Sequence, residues 1–292
     1  LDYYVGGDHA VAHLLYFRFW TKFFADHGYL GFSEPVKRLL YNGYINAPDG
    51  LKMSKSKGNV IDPLDVIDSG YGADTLRTYE MFIGPYELDA IWNTGGIGGV
   101  YRFLNRCWSL VQEYLEAKPA DKLVELDKTT QLELLRTEHV TIKKVTEDIY
   151  GAQFNTAVST LMEHLNSLTK LKTAGFDRRL WQAVLSSLCQ LLAPFAPHIA
   201  SELYSQLNGE KCRLEQVAWP VYDEQYLVTD TVKVAVQVNG KLRGELEVAK
   251  QIAVKEVEER ALQLDNVQRF TKDKEIVKRI YVPGKILNLV VK

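Results

Sequence analysis

The chain has 292 residues, 46% hydrophobic and 11% aromatic, with 35 Lys and Arg against 37 Asp and Glu. That composition excludes a disordered chain and is enough for two or three cores. The longest apolar run near the start, HLLYFRFWTKFF, is broken by Arg18 and Lys22, so no membrane span is predicted.

Nothing at the start reads as a signal peptide. Cys107, Cys189 and Cys212 form no CxxC pair, which argues against a disulfide framework or a zinc site and for a reducing compartment, the cytosol by default. The charge is unevenly spread. From Asp230 to Lys292 there are 13 Lys and Arg against 9 Asp and Glu, or +4, which leaves 22 against 28, or −6, for the residues before. A basic tail on an acidic body suits a polyanionic partner.

The first region, residues 1–94, alternates short strands with helices. LDYYVGG reads as a strand entering a glycine turn, and HAVAHLLYFRFWTKFFADHG as a helix stopped at Gly28. The opening on Leu1 and a strand suggests a piece of something larger. VKRLLYNGYI is a second β-leaning run. Asp62 is expected to cap a helix that begins at Pro63, and Asp74 to cap the next, TLRTYEMFIG. Strand, helix, strand, loop and helix in that order predict a parallel α/β sheet.

Between that second run and Asp62 lies DGLKMSKSKGN. Many such lysine-rich stretches are solvated loops. This one, however, leaves a strand and enters a capped helix, where α/β sheets bind ligands. Lys52 and Lys55 stand three apart, with small serines next to Lys55 on either side, an arrangement suited to a polyphosphate whose charge shifts during a reaction. Gly58 adds freedom to fold the loop over a substrate, and Met53 offers an apolar anchor. The GxxxxGK[ST] phosphate loop is absent.

A second cluster is GGDHAVAHL. His9 and His13 stand four apart on one helical face. As a metal pair they lack an evident third ligand, and two ordinary core or surface histidines would look the same. A nucleotide site fits as well: glycine permits close backbone approach, Asp8 can accept ribose hydroxyls, and imidazoles can flank a base.

The second region, 95–227, is all helical. Val100, Phe103, Leu104, Cys107, Trp108, Val111 and Leu115 make one apolar stripe, with others across Leu132–Ile149, Phe154–Leu168 and Trp181–Leu207. AKPADK and KTAGFD mark breaks, and Pro194 and Pro197 should kink or split the last helix. An antiparallel bundle is predicted. The third region, 230–292, is a small α/β module. VKVAVQV and ELEV flank an Asn-Gly hairpin, a helix is expected from about Val254 to Leu264, and two more strands follow.

GGDHAVAHL followed by KMSKS resembles the second half of a class I aminoacyl-tRNA synthetase catalytic domain. LLAPFAPHIASELY resembles the last helices of that family's anticodon-binding bundle. VQVNGKLRGELEV with RIYVPGKILNLVV resembles the C-terminal tRNA-binding module of its bacterial leucyl members. The resemblance covers essentially the whole chain. It implies an α/β half of a Rossmann-type catalytic domain, then an all-α helical bundle and a small α+β C-terminal domain.

The implied reaction is ATP-dependent activation of leucine and transfer to tRNA(Leu). Lys52 and Lys55 would neutralise charge on the departing pyrophosphate, with Met53, Ser54 and Ser56 shaping the loop. Gly6 and Asp8 match a GxD ribose-binding pattern, and His9 and His13 would line the adenosine pocket. Lys241, Arg243, Lys278, Arg279 and Lys285 are the candidate tRNA phosphate contacts, each also readable as part of a solvated face.

Mg2+ is expected to arrive with ATP, with no metal cage in the chain. The family's HIGH motif and editing domain are missing, so the chain alone should be inactive. It is either a split subunit needing a second polypeptide or a truncated piece. An isolated tRNA-binding module, or the matching part of a valyl, isoleucyl or methionyl enzyme, are the alternatives.

Overall fold

The structure is a computed structural model that describes every residue except 1, 7, 8, 10, 118–122, 228–230, 250, 251 and 273. It divides into two compact units, Leu1–Asp223 and Glu224–Lys292.

In the first unit, β1 (Asp2–Gly6) and β2 (Arg38–Asn42) pair in parallel, as do the short β3 (Ile45–Asn46) and β4 (Ala90–Ile91). Parallel pairing requires a crossover. Between β1 and β2 it is a π-helical stretch, Val11–Tyr16, that runs into α1 (Phe17–Asp26). The single helix expected here is thus wound in two ways, and it stops as predicted at Gly28, where φ is +77°. The outward side of this segment exposes Leu15, Tyr16, Phe19 and Trp20, each more than half accessible.

Asp62 caps α2 (Pro63–Val66) as expected, its carboxylate accepting from the Leu64 N–H at 2.8 Å. Asp74 does not cap its own helix. α3 (Gly72–Phe82) begins two residues earlier, and the Asp74 carboxylate turns to α8 (Pro197–Asn208) instead. It accepts from the Ile199 N–H at 2.7 Å and the His198 N–H at 3.4 Å, and pairs with His198 Nδ1 at 2.7 Å. The reason lies in α8, which opens on Ala196 and Pro197 with no side-chain cap of its own. Its first-turn donors need an acceptor, and α3 supplies one. A cap of this kind contributes about 1 kcal/mol.

The bundle comprises α4 (Thr94–Ala117), α5 (Lys128–Tyr150), α6 (Phe154–Leu171), α7 (Arg178–Leu192) and α8. α5 packs on α6 and α7, α4 on α6 and α8, and α7 on α8. Leu134, Leu161, Leu165, Trp181 and Leu185 are fully buried at its centre. Asp127 and Asp177 cap α5 and α7 through their side chains. The proline pair splits the last helical segment in two: α7 ends at Leu192, and Pro197 sits in the first turn of α8. The α4 stripe needs one correction. Trp108 lies at its edge and is 37% exposed, whereas Leu110 and Tyr114 are buried.

In the second unit, β5 (Thr231–Val238), β6 (Lys241–Ala249), β7 (Ile276–Val282) and β8 (Ile286–Val291) form one sheet in the order β6-β5-β8-β7. Only β5 and β8 run parallel. The hairpin turn is the predicted one, with positive φ at both Asn239 (51°) and Gly240 (77°), the pattern of a type I′ turn. Val257 and Ala261 of α9 (Val254–Leu262) and Val267 of α10 (Asp265–Thr271) close the core with Val234, Val236, Leu287 and Leu289. The one helix expected here is therefore two. Leu264 takes extended backbone before α10, and its side chain drops onto Gly244, where a Cβ would stand 2.8 Å from Leu264 Cδ1.

His164 on α6 is 2% exposed, and its Nδ1 has no hydrogen-bond partner among the described residues. Burial lowers its pKa from 6.5 to about 4. The unfolded chain therefore takes up this proton first, and stability is lost as pH falls from about 6.5 towards 4. Between pH 6.5 and 5 the loss should be about 2 kcal/mol. Urea unfolding of the wild type and of His164→Leu should give profiles that converge in slope above pH 7 and diverge by this amount below it. Parallel profiles would contradict the assignment.

Candidate functional site

The lysine loop starts where β3 ends. Ala47, fully buried, anchors its first turn through hydrogen bonds with Leu51 (2.9 Å) and Gly50 (2.8 Å). Asp49 Oδ1 accepts from the Leu51 N–H at 2.9 Å. The return limb is held by Asn59, whose Oδ1 accepts from the Ser54 N–H at 2.9 Å. Asn59 Nδ2 points to Asp49 Oδ2 and to the Lys52 carbonyl, both at 3.4 Å. One amide therefore ties both limbs together.

Between the limbs, Lys55–Lys57 make a single 3-10 turn closed by Gly58 in the left-handed region, φ +67°, a conformation that glycine adopts at no steric cost. The Ser54 and Ser56 hydroxyls hydrogen-bond each other at 2.8 Å. Met53 turns inward, half-buried, onto the cluster of Leu76, Tyr79, Trp92, Ile97 and Val100. It is the apolar anchor its side chain suggested. Tyr79 is fixed beneath it: its hydroxyl donates to the Asn93 carbonyl at 2.7 Å and accepts from the Asn93 N–H at 3.2 Å. Burial raises the Tyr79 pKa above its ordinary value, so the phenol stays protonated. A cavity of about 80 Å³, lined by Met53, Ile61, Val66, Leu76 and Trp92 among others, lies beside this seat.

The two candidate lysines have different surroundings. Lys52 Nζ lies 4.3 Å from the centroid of the Tyr44 ring, a cation–π distance. Lys55 is exposed and belongs to no ion pair among the described residues. The loop thus offers one cation parked on an aromatic face and another facing water, both on a pinned backbone. This arrangement can carry positive charge to an anionic ligand without reorganising the loop's base.

At the end of β1, Gly6 pairs with Asn42 of β2. The His9 ring approaches to 3.7 Å of the position a Gly6 Cβ would take. The His9 and His13 ring centroids are 5.9 Å apart, and His13 meets Phe17 at 6.3 Å. The structure therefore brings Gly6, His9 and His13 together; Asp8 lies outside the described residues. No group of three or more His, Cys, Asp or Glu able to hold a metal occurs among the described residues.

The five basic candidates of the second unit do not share one surface. Lys241, Lys278 and Lys285 are exposed. Arg243 is half-buried, its guanidinium carbon 3.5 Å above the Phe270 ring. Arg279 Nε pairs with Glu258 Oε2 at 3.3 Å. Lys278 and Arg279 are neighbours on one strand and so point to opposite faces. Sequence reasoning missed Tyr44 and Asn59 as supports of the loop. Of these, only Asn59 left a signal, as a side chain able to bond backbone directly after a glycine.

Residues 16–92 match the family described as tRNA synthetases class I (I, L, M and V), and residues 131–259 match the anticodon-binding domain of tRNA ligase. Over its whole length the chain is 42% identical to a leucine–tRNA ligase of Deinococcus radiodurans and 44% identical to one of Chlorobaculum parvum. It spans 35% of each of those relatives. A solved ternary complex of an Agrobacterium radiobacter LeuRS with tRNA and LeuAMS superposes on the entire chain, with TM-score 0.72 and 32% identity, the match covering 37% of that protein. A Mycobacterium tuberculosis methionyl-tRNA synthetase bound to methionyl-adenylate shares the fold over 69% of this chain and 43% of its own, with TM-score 0.55 and 19% identity. Among the described residues no helix is long and apolar enough to cross a membrane.

Because Asn59 ties the limbs, Asn59→Ala should loosen the loop by about one hydrogen bond, which speeds local opening about fivefold to tenfold. Limited trypsin digestion, followed by mass spectrometry of cuts after Lys52, Lys55 and Lys57, reads this directly. An unchanged cleavage rate would show that the amide does not hold the loop.

Proposed function

We infer that this chain is the C-terminal part of a leucine–tRNA ligase and that it contributes one side of the ATP site together with tRNA-binding surfaces. What carries this reading is the loop after β3, a cationic segment whose backbone is clamped by Asn59 and whose underside is anchored by Met53. It is supported by the similarity to leucine–tRNA ligases along all of the chain.

In the reaction, the leucine carboxylate attacks the α-phosphorus of ATP. The bond to the bridging oxygen breaks, and pyrophosphate leaves with the electron pair. Negative charge then grows on the leaving group. Lys55, facing solvent, and Lys52, released from Tyr44, would neutralise it, while the linked Ser54 and Ser56 keep the turn between them compact. Gly6 and Asp8 would receive the ribose, and His9 and His13 the adenine. Mg2+ would come with the nucleotide as part of the substrate.

The leucyl group then passes from the adenylate to tRNA(Leu). In this reading, residues 1–94 are the second half of a Rossmann-type catalytic domain, 95–227 the bundle that lies along the tRNA, and 230–292 the tail module. Lys241, Lys278 and Lys285 are its phosphate contacts, with Arg243 and Arg279 in supporting positions. The remaining part of the synthetase, within one polypeptide or on a second one, would cover the apolar side of α1 and supply the HIGH motif. The setting is cytoplasmic.

In the full-length enzyme, Lys55→Ala should lower ATP–pyrophosphate exchange by about 10²–10³-fold, the cost of removing one preorganised charge at a transition state. tRNA affinity should stay at the wild-type value. Exchange at the wild-type rate would remove Lys55 from the chemistry.

A further inference from the structure

α8 has an unusual source for its cap. Its N-cap residue, Ala196, is fully buried and has no side-chain oxygen. The donors of its first turn go to a carboxylate 124 and 125 residues earlier in the chain, on a helix that does not need that carboxylate for its own start. The Asp74 side chain is only 12% exposed, although its partner His198 is 77% exposed. A negative group at a helix N-terminus is favourable wherever it comes from. Taking it from α3 fixes the first turn of α3 against the first turn of α8.

α3 also carries the loop. Leu76 and Tyr79, two and five residues beyond Asp74, form the seat that receives Met53. These spacings put them on a different side of the helix from Asp74. α3 is thus a strut with α8 clamped at one side and the lysine loop resting on another. The cavity of about 80 Å³ beside Met53, with Leu76 in its wall, leaves this seat room to shift when α3 shifts.

We propose that Asp74 is a positioning residue for the lysine loop: by holding α3 on α8 it sets where Met53 rests and, through it, where Lys52 and Lys55 stand. The proposal rests on those lysines acting at the ATP site. It makes the bundle's α8 part of the catalytic geometry, so that a shift of α8 is felt at the loop.

The test uses the full-length enzyme and pyrophosphate exchange without tRNA. Asp74→Ala should lower kcat about tenfold with the KM for leucine unchanged, since small misplacements of a catalytic group are costly. Asp74→Asn keeps an oxygen to accept from the Ile199 N–H and should stay within about threefold of the wild type. Leu207→Ala, at the far end of α8, serves as the control for lost stability. Assayed well below its melting temperature, and with a Tm loss at least as large, it should keep the wild-type kcat.

A wild-type kcat in Asp74→Ala, or an equal fall in Leu207→Ala, would overturn the proposal. Lys55→Ala separates the two levels. If it is crippled while Asp74→Ala is not, only the positioning role fails; if it is silent, the loop's part in the reaction fails and the proposal with it.

Discussion

A loop crowded with lysines gains nothing from its charges unless something holds it down, and here that is the burial of Met53. Its side chain packs against the cluster formed by Leu76, Tyr79, Trp92, Ile97 and Val100, and half-burying a methionine contributes about 1 kcal/mol. That is small beside the repulsion and entropy that favour an open loop, so the anchor is supplemented. Asn59 links the two limbs, and the buried Ala47 fixes the entrance. The cations then sit on a platform whose position is decided by apolar packing, where salt and water have little influence.

The platform belongs as much to the bundle as to the strands. Ile97 and Val100 come from α4, the first bundle helix, and Leu76 and Tyr79 from α3, which is fastened to α8 through Asp74. The region matching a class I synthetase and the helices α4–α8 of the bundle share one compact unit. The contacts that stabilise the bundle therefore also define the loop's seat. Under the proposed function, where a large nucleic acid and a small nucleotide would meet in one reaction, such a common frame would serve both.

Much of this was legible in the sequence because it is written in local chemistry. The Asp62–Pro63 helix start, the split at Pro194 and Pro197, the Asn239–Gly240 hairpin and the inward turn of Met53 all follow from residues that are neighbours in the chain. What was not legible depends on partners far away. Asp74 looks like the cap of its own helix until α8 is seen to lack one. Leu264 looks like a helical residue until Gly244 opens a hollow for it. The basic residues of the tail look equivalent as phosphate contacts until strand alternation puts Lys278 and Arg279 on opposite faces and Phe270 takes Arg243. The paired uses of KMSKS and the histidine cluster came from resemblance to a family, and the geometry adds what holds the loop in place.

The central claim is that the two lysine side chains of this seated loop come to rest on the leaving group of a bound nucleotide. The most direct measurement is a structure of the full-length enzyme with a leucyl-adenylate mimic and pyrophosphate. The account predicts Nζ atoms of Lys52 and Lys55 about 3 Å from pyrophosphate oxygens, the range of charge-assisted hydrogen bonds, with Met53 still on its seat. Pyrophosphate bound elsewhere, with both ammonium groups in solvent, would contradict it.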